Sequence, residues 1–185
     1  MLLLNDQRCD VNIANDYRCT PLMYAIGQAS TRNDHTCKII EAILSREQCD
    51  ITSRDAEGRT SLLWIVWLSL KSAAGFELLI SDARCDVNAE DNDGFTPLSV
   101  LVTKVQSLKD PWAEMIRLLL NHPHIDVNKQ NRKGDSALHE ARGGNAASHV
   151  GAQLLIDDAR CDVNLPDNNG HTPLMMHLQQ SCVNY

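Results

Sequence analysis

The chain has 185 residues, 43% of them hydrophobic and 22% charged, a composition that folds rather than one that stays disordered. Seventeen basic against twenty-four acidic side chains leave a formal charge of −7. With no net positive field to draw phosphates in, a nucleic acid is not expected as the main partner. Nor is membrane insertion: the most apolar stretch, Ser61 to Ile80, is cut by Lys71, Gly75 and Glu77, leaving an uninterrupted apolar run of about half a span. The start, Met1-Leu2-Leu3-Leu4, meets Asn5, Asp6 and Arg8 at once and lacks the basic start and apolar length of a signal peptide. Seven cysteines without a CxxC pair indicate neither a disulfide framework nor a zinc ribbon. Reduced thiols in the cytoplasm or nucleus are the expectation.

In chain order, one phrase returns five times: Cys9-Asp10-Val11-Asn12, Cys49-Asp50-Ile51-Thr52, Cys85-Asp86-Val87-Asn88, Ile125-Asp126-Val127-Asn128 and Cys161-Asp162-Val163-Asn164. A second phrase follows each one: Thr20-Pro21-Leu22, Thr60-Ser61-Leu62, Thr96-Pro97-Leu98, Ser136-Ala137-Leu138 and Thr172-Pro173-Leu174. The units are spaced 40, 36, 40 and 36 residues apart, so Cys9, Cys85 and Cys161 recur every 76. Residues 81–88 and 157–164 differ at one position in eight, which points to a duplicated pair of units. Residues 1–14 read as the tail of one unit, 15–54, 55–90, 91–130 and 131–166 as complete units, and 167–185 as a partial one. Because the chain opens in the tail of a second helix and closes after a first, a fragment of a longer array is expected, rather than a chain that hides its ends against something.

Within a unit the Asp-Val-Asn phrase leads into a polar turn such as Asp91-Asn92-Asp93-Gly94, where Gly supplies a positive φ. Thr then caps a helix whose first turn tolerates Pro. A second run, such as Met115-Ile116-Arg117-Leu118-Leu119-Leu120, has helical spacing. Neither helix buries its apolar stripe alone, so units must stack.

These residues resemble the ankyrin-repeat family over essentially the whole chain. The resemblance implies an all-α repeat solenoid of ankyrin-type helix-turn-helix units joined by β-hairpin-like fingers. Three departures stand out. Arg18 replaces the turn Gly of the first unit, which predicts a looser or rebuilt turn. The usual His after Thr-Pro-Leu is present only as His139, with Met23, Leu63, Ser99 and Met175 elsewhere. The units also exceed the family's length, mainly between their helices at about Ala29 to His35 and Val105 to Asp110, where Asp110-Pro111 reads as the restart of a second helix.

No catalytic residue is assigned. His139-Glu140 lacks the second His of a zinc-protease H-E-x-x-H, having Gly143 there, and Gly143-Gly144 reads as an inter-helix turn rather than a phosphate loop. The periodic Cys9, Cys49, Cys85 and Cys161 stand where the family has Ala, so they read as small apolar packing residues. Cys19, Cys37 and Cys182 have no partner pattern. No metal or cofactor is expected.

What remains is recognition. Eight aromatic side chains are few enough for their placement to matter. Trp64 falls at a core register, while Trp67 falls where the family's first helix faces the concave groove. Tyr17, Phe95 and His171 lie at or beside the projecting turns, with Arg59 and Asp135 in register with Phe95 and His171. Exposed aromatics and Arg are the usual anchors of protein interfaces. The partner-contact candidates are therefore Tyr17, Arg59, Trp67, Phe95 and His171, with Lys104 nearby, and Phe95 is expected to be exposed. Glu90, Asp91 and Asp93 make one finger acidic, and Lys129, Arg132 and Lys133 make the next basic.

The resemblance also implies a modification. Asparaginyl hydroxylases of the 2-oxoglutarate class act on ankyrin repeats at Leu, five residues, Asp, Val or Ile, then Asn. Leu4 to Asn12 and Leu120 to Asn128 fit, Ile80 to Asn88 and Ile156 to Asn164 fit except for the leading Leu, and Thr52 removes an acceptor. The expected function is a non-catalytic scaffold or interaction module that binds another protein through groove and fingers, monomeric unless its open ends pair. The alternative is a regulatory ankyrin segment of a larger ion channel or enzyme, or a regulatory subunit of a kinase.

Overall fold

Helix starts follow the Thr-Pro-Leu phrase. The computed structural model describes residues 3–6, 8–28, 34–68, 73–141 and 148–183. After a 3-10 turn at Leu3–Asn5 come α1 (Pro21–Gly27), α2 (Asp34–Leu44), α3 (Ser61–Trp67), α4 (Ala73–Ile80), α5 (Pro97–Lys104), α6 (Pro111–Leu120), α7 (Ala137–Glu140), α8 (Ser148–Ile156) and α9 (Pro173–Val183). At α1 the Thr20 hydroxyl accepts the Met23 N–H at 3.4 Å. At α5 the cap is reciprocal: Thr96 Oγ1 accepts from Ser99 N at 3.2 Å, and Ser99 Oγ accepts from Thr96 N at 2.9 Å. Asp110 caps α6, accepting from Trp112 N at 3.3 Å, as its Asp-Pro sequence predicts. The length excess at Val105 to Asp110 does lie between α5 and α6. The other predicted excess, through residues 29–33, and the turn at Gly143-Gly144 lie outside the described residues.

The chain divides into two units, Met1–Asn92 and Asp93–Tyr185. In the first, α1 packs on α2 and α3, and α4 on α2 and α3. Its core is Leu22, Met23, Ile26, Ile40, Leu62, Leu63, Phe76 and Leu79, all essentially inaccessible to solvent. In the second, α5 packs on α6, α7 and α8, and α7 on α8 and α9. Leu98, Leu101, Met115 and Leu155 fill its centre. Odd-numbered helices are the first of each pair and even-numbered ones the second, and within each unit successive pairs stack as the unshared apolar stripes require. Among the described residues there is no extended strand, only one isolated antiparallel bridge between Gln130 and Ser136.

The Arg18 turn is a correction to the sequence reading. Arg18 keeps the left-handed backbone, with φ 59°, that Gly58, Gly94, Gly134 and Gly170 adopt at the same place in their turns. Arg18 N donates to Asn15 O at 2.8 Å and Asn15 N to Cys19 O at 3.1 Å. Gly58 N donates to Asp55 O at 3.1 Å and Asp55 N to Arg59 O at 3.1 Å in the next turn. The turn is neither looser nor rebuilt, because its hydrogen bonds are strong enough together to hold a side chain in that region.

Candidate functional site

Four of the fingers are built on an Asx residue. Asn15, Asp55, Asn131 and Asp167 accept, through Oδ1, the N–H groups two and four residues on: Tyr17 and Cys19, Glu57 and Arg59, Lys133 and Asp135, Asn169 and His171, all at 2.7–3.0 Å. This aims the second and third residues of the turn outward. Tyr17, Glu57, Lys133 and Asn169 are accordingly exposed. Backbone bonds join one tip to the next. In the first unit Ala56 N donates to Tyr17 O at 3.2 Å and Asn92 N to Glu57 O at 2.9 Å. In the second, Arg132 N donates to Asp93 O at 3.2 Å and Asn168 N to Lys133 O at 3.1 Å. Each unit therefore carries a row of tips at fixed spacing.

The predicted contact residues separate on this frame. Tyr17 is a true tip, 74% exposed, and Trp67 at the end of α3 is exposed beside Leu68. Arg59, Phe95 and His171 sit two residues past the tip and are only half-buried to half-exposed, so the expected exposure of Phe95 is not found. The reason is register: in Arg59 and His171 the N–H turns inward to the Asp55 or Asp167 carboxylate, which sets this position back from the tip. Asp135, in the same register, is buried.

Arg59 is committed locally. Its Nε donates to Asp55 Oδ2 at 2.7 Å and its Nη2 to Glu57 at 2.8 Å, while the guanidinium lies 5.4 Å above the Trp64 ring. Trp64 Nε1 donates to the same Asp55 Oδ2 at 2.7 Å, so Trp64 is half-buried and tethered rather than a plain core residue. Lys104 ends α5 half-buried, and burial lowers its ammonium pKa. Sequence reasoning missed Glu57, took Lys133 only as part of a basic finger, and missed Tyr24, an exposed aromatic on α1. Counting two residues forward from each Asx would have found the first two.

A second ladder runs through the Asp-Val-Asn phrases. Asn12 Nδ2 donates to Gln48 O at 2.6 Å while its Oδ1 accepts from Asp50 N at 2.8 Å. Asn128 does the same with Arg160 O and Asp162 N, both at 2.8 Å. Both candidate hydroxylation sites thus have their carboxamides engaged at both atoms. Before three of the five phrases an Asp-x-Arg pair forms, Asp6–Arg8, Asp82–Arg84 and Asp158–Arg160, and Arg84 and Arg160 reach back to the carbonyl ending the previous second helix, Leu44 or Leu120. The thiols beside these turns, buried in Cys49 and half-buried in Cys85 and Cys161, are poor nucleophiles: burial pushes the pKa of Cys85 up to about 12 and raises those of Cys49 and Cys161.

These arrangements set an acid limit on stability. The guanidinium of Arg84 or Arg160 holds the carboxyl of Asp82 or Asp158 below the usual range, and the hydroxyls of Thr52 and Ser53 do so for Asp50. For Asp55 burial alone would raise the pKa, but bonds from the Arg59 backbone, the Arg59 side chain and the Trp64 indole outweigh it. A folded value below the unfolded one stabilises the fold above about pH 4, and that contribution is lost as pH falls through the folded values. Urea midpoints are therefore expected to be level from neutral to about pH 5 and to drop steeply below about pH 4. Asp55→Asn should flatten the drop. An unchanged acid slope in that variant would remove Asp55 from this account.

Helix pairs stacked through their apolar stripes, with Asx-built fingers bonded tip to tip, define a class of helical repeat fold. Residues 101–185 match the family model described as ankyrin repeats, three copies. A crystal structure of the ankyrin repeat protein EF0377 matches with a TM-score of 0.80, covering 98% of this chain and 85% of that one at 22% identity. The chain has the ankyrin-repeat fold.

Proposed function

We propose that this chain is a non-catalytic recognition module of the cytoplasm or nucleus that binds another protein through its fingers and inner helices. Ankyrin repeats are generally protein–protein interaction modules and generally not catalytic. The observation that carries the reading is the contrast between frame and tips. The same Asx and backbone bonds recur in successive fingers, while the tip residues they display are as different as Tyr17, Glu57, Lys133 and Asn169. A rigid frame that presents varied side chains lowers the ordering cost of binding. Tyr17 and Trp67 are the first candidates, because both are exposed aromatics. Arg59, Phe95, Lys104 and His171 are flanking contacts, and the mixed charges of the fingers favour a protein over a nucleic acid.

The test is affinity capture from cell lysate with the wild type beside a Tyr17→Ala, Trp67→Ala double variant, read by mass spectrometry after circular dichroism has shown equal folding. A protein held by the wild type and lost with the double variant is the expected result. The same proteins captured by both would overturn the role of these two residues. Hydroxylation of Asn12 or Asn128 is a separate reading, carried by the spacing from Leu4 and Leu120. Peptide sequencing that finds no added oxygen at either, in a host with the enzyme, would overturn it.

A further inference from the structure

The second and third residues of each finger turn form its tip, and the five tips differ in charge. Asp16-Tyr17, Ala56-Glu57 and Asn92-Asp93 each carry one carboxylate, Asn168-Asn169 carries no charge, and Arg132-Lys133 carries two adjacent cations. That last tip is opposite in sign to a chain of formal charge −7. Both of its side chains are exposed.

Elsewhere in the chain arginine serves as an internal strut. Arg54 donates to the Gly58 carbonyl at 2.9 Å, Arg59 to the Asp55 carboxylate at 2.7 Å, Arg84 to the Leu44 carbonyl at 2.9 Å and Arg160 to the Asp158 carboxylate at 2.6 Å. Arg132 and Lys133 differ: among the described residues neither side chain makes a hydrogen bond or an ion pair. The acid of their own turn, Asp135, is buried at 4% exposure. Asn169, in the register of Lys133 on the following tip, is exposed and its carboxamide is likewise unbonded among the described residues.

The backbone under these side chains is fully used. Arg132 N donates to Asp93 O at 3.2 Å, and the Arg132 carbonyl accepts from Asn168 Nδ2 at 3.0 Å. Lys133 N donates to Asn131 Oδ1 at 2.8 Å, and the Lys133 carbonyl accepts from Asn168 N at 3.1 Å. Gly134 N and Asp135 N turn in to Asn131 as well, at 2.9 and 3.0 Å. The tip is therefore held from both sides, and its two cations stand on a fixed base that loses little freedom when a ligand arrives. Every N–H of the turn from 132 to 135 is also spent inside the protein, so the tip lacks the nest of backbone donors that cradles a phosphate. What it presents is a guanidinium fork beside an ammonium, with an amide donor on the next tip, a set that matches carboxylates.

We propose that the Arg132-Lys133 tip docks a short acidic segment of the partner protein, pairing with adjacent Asp or Glu side chains. The inference rests on the reading of this chain as a protein-recognition module, and it names the chemistry of one contact in the second unit. The segment is short because of what surrounds the tip. At physiological salt a charge is felt over about 8 Å, so a pair of carboxylates meets the two cations and little else. A longer polyanion, a nucleic acid included, runs on to Asp93, whose carbonyl the Arg132 N–H holds, and into the field of a negatively charged chain.

The experiment is a fluorescence-anisotropy titration of labelled hexaglutamate with the full chain at about 0.15 M salt. The wild type should bind it saturably, and more weakly as salt is raised. Arg132→Ser with Lys133→Ser should weaken binding about tenfold. Lys38→Ser with Lys109→Ser removes the same charge from exposed positions outside the fingers and should change binding by less than about twofold. Tyr17→Ala with Trp67→Ala should leave it unchanged. A wild type without saturable binding overturns the inference. So does equal weakening by the two serine pairs, which would assign binding to overall charge, and so does tighter binding of a thymidine hexanucleotide than of hexaglutamate. A wild type that holds a captured protein through Tyr17 and Trp67 but ignores hexaglutamate loses this contact alone, and the recognition function stands. If circular dichroism shows the Arg132→Ser, Lys133→Ser pair unfolded, the single changes Arg132→Gln and Lys133→Gln replace it, and the wild-type titration decides without any variant.

Discussion

Replacing His139 with alanine is expected to destabilise the second unit by about 2–4 kcal/mol in a denaturant titration. The side chain is wholly buried, and its two nitrogens have different work. Ser136 N donates to Nδ1 at 3.1 Å, so Nδ1 carries no proton and Nε2 is the N–H that donates to His171 O at 3.1 Å. Ser136 Oγ stands 2.9 Å from the same Nδ1 and can donate to it as well. One imidazole thus caps α7 and fastens the next finger. Alanine leaves a cavity and strips the Ser136 N–H of its imidazole acceptor, while the His171 carbonyl keeps only the Asp167 N–H at 2.8 Å, and the cavity and hydrogen-bond penalties add. His139→Met keeps most of the volume and should cost less, about 1–2 kcal/mol, because only the hydrogen bonds are lost. The first unit already uses that solution, with Met23 at this register, and the third pair uses Ser99 in a reciprocal cap instead. A loss below about 0.5 kcal/mol for His139→Ala would mean that the pocket collapses and rebuilds its bonds, contrary to this account.

Gly134→Ala and Gly170→Ala should differ sharply although both glycines have φ 81°. A Cβ on Gly134 would stand 2.4 Å from the backbone N of Asn168, which the finger ladder holds in place, whereas one on Gly170 meets nothing within 4 Å. Gly170→Ala therefore bears only the left-handed backbone penalty of about 1–2 kcal/mol. Gly134→Ala adds a clash that only a backbone shift relieves, for a total of about 3–4 kcal/mol. Arg18→Gly is the reverse experiment. Arg18 already sits at φ 59°, so glycine should stabilise the first unit, by about 0.5–1 kcal/mol once the greater freedom of the unfolded chain is subtracted. Equal effects of Gly134→Ala and Gly170→Ala would show that the tip-to-tip bonds yield easily, and that the fingers are not the rigid frame that recognition requires.

Most of the architecture was legible in the sequence, because repetition multiplies weak local signals. Five copies of two phrases, Asp-Val-Asn or its Asp-Ile-Thr variant and Thr-Pro-Leu or its Thr-Ser-Leu and Ser-Ala-Leu variants, at spacings of 36 and 40, settle the helix pairs, the caps and the polar turns, since capping and turn formation depend on residues within four positions of one another. Even the restart of α6 at Asp110-Pro111 is of this local kind. Arg18 was misjudged because a missing Gly reads as a missing conformation, while the bonds that enforce that conformation come from Asn15 and Cys19 around it. Which side chains stand free was a matter for the tertiary structure. Phe95, Arg59 and His171 share a register set back from the tip, Trp64 is drawn to a buried Asp55, and Leu174 is exposed where Leu22 is buried, though both follow Thr-Pro. Exposure depends on what lies across the gap between repeats, and residues 36 or 40 positions away decide it. No local pattern carries that information.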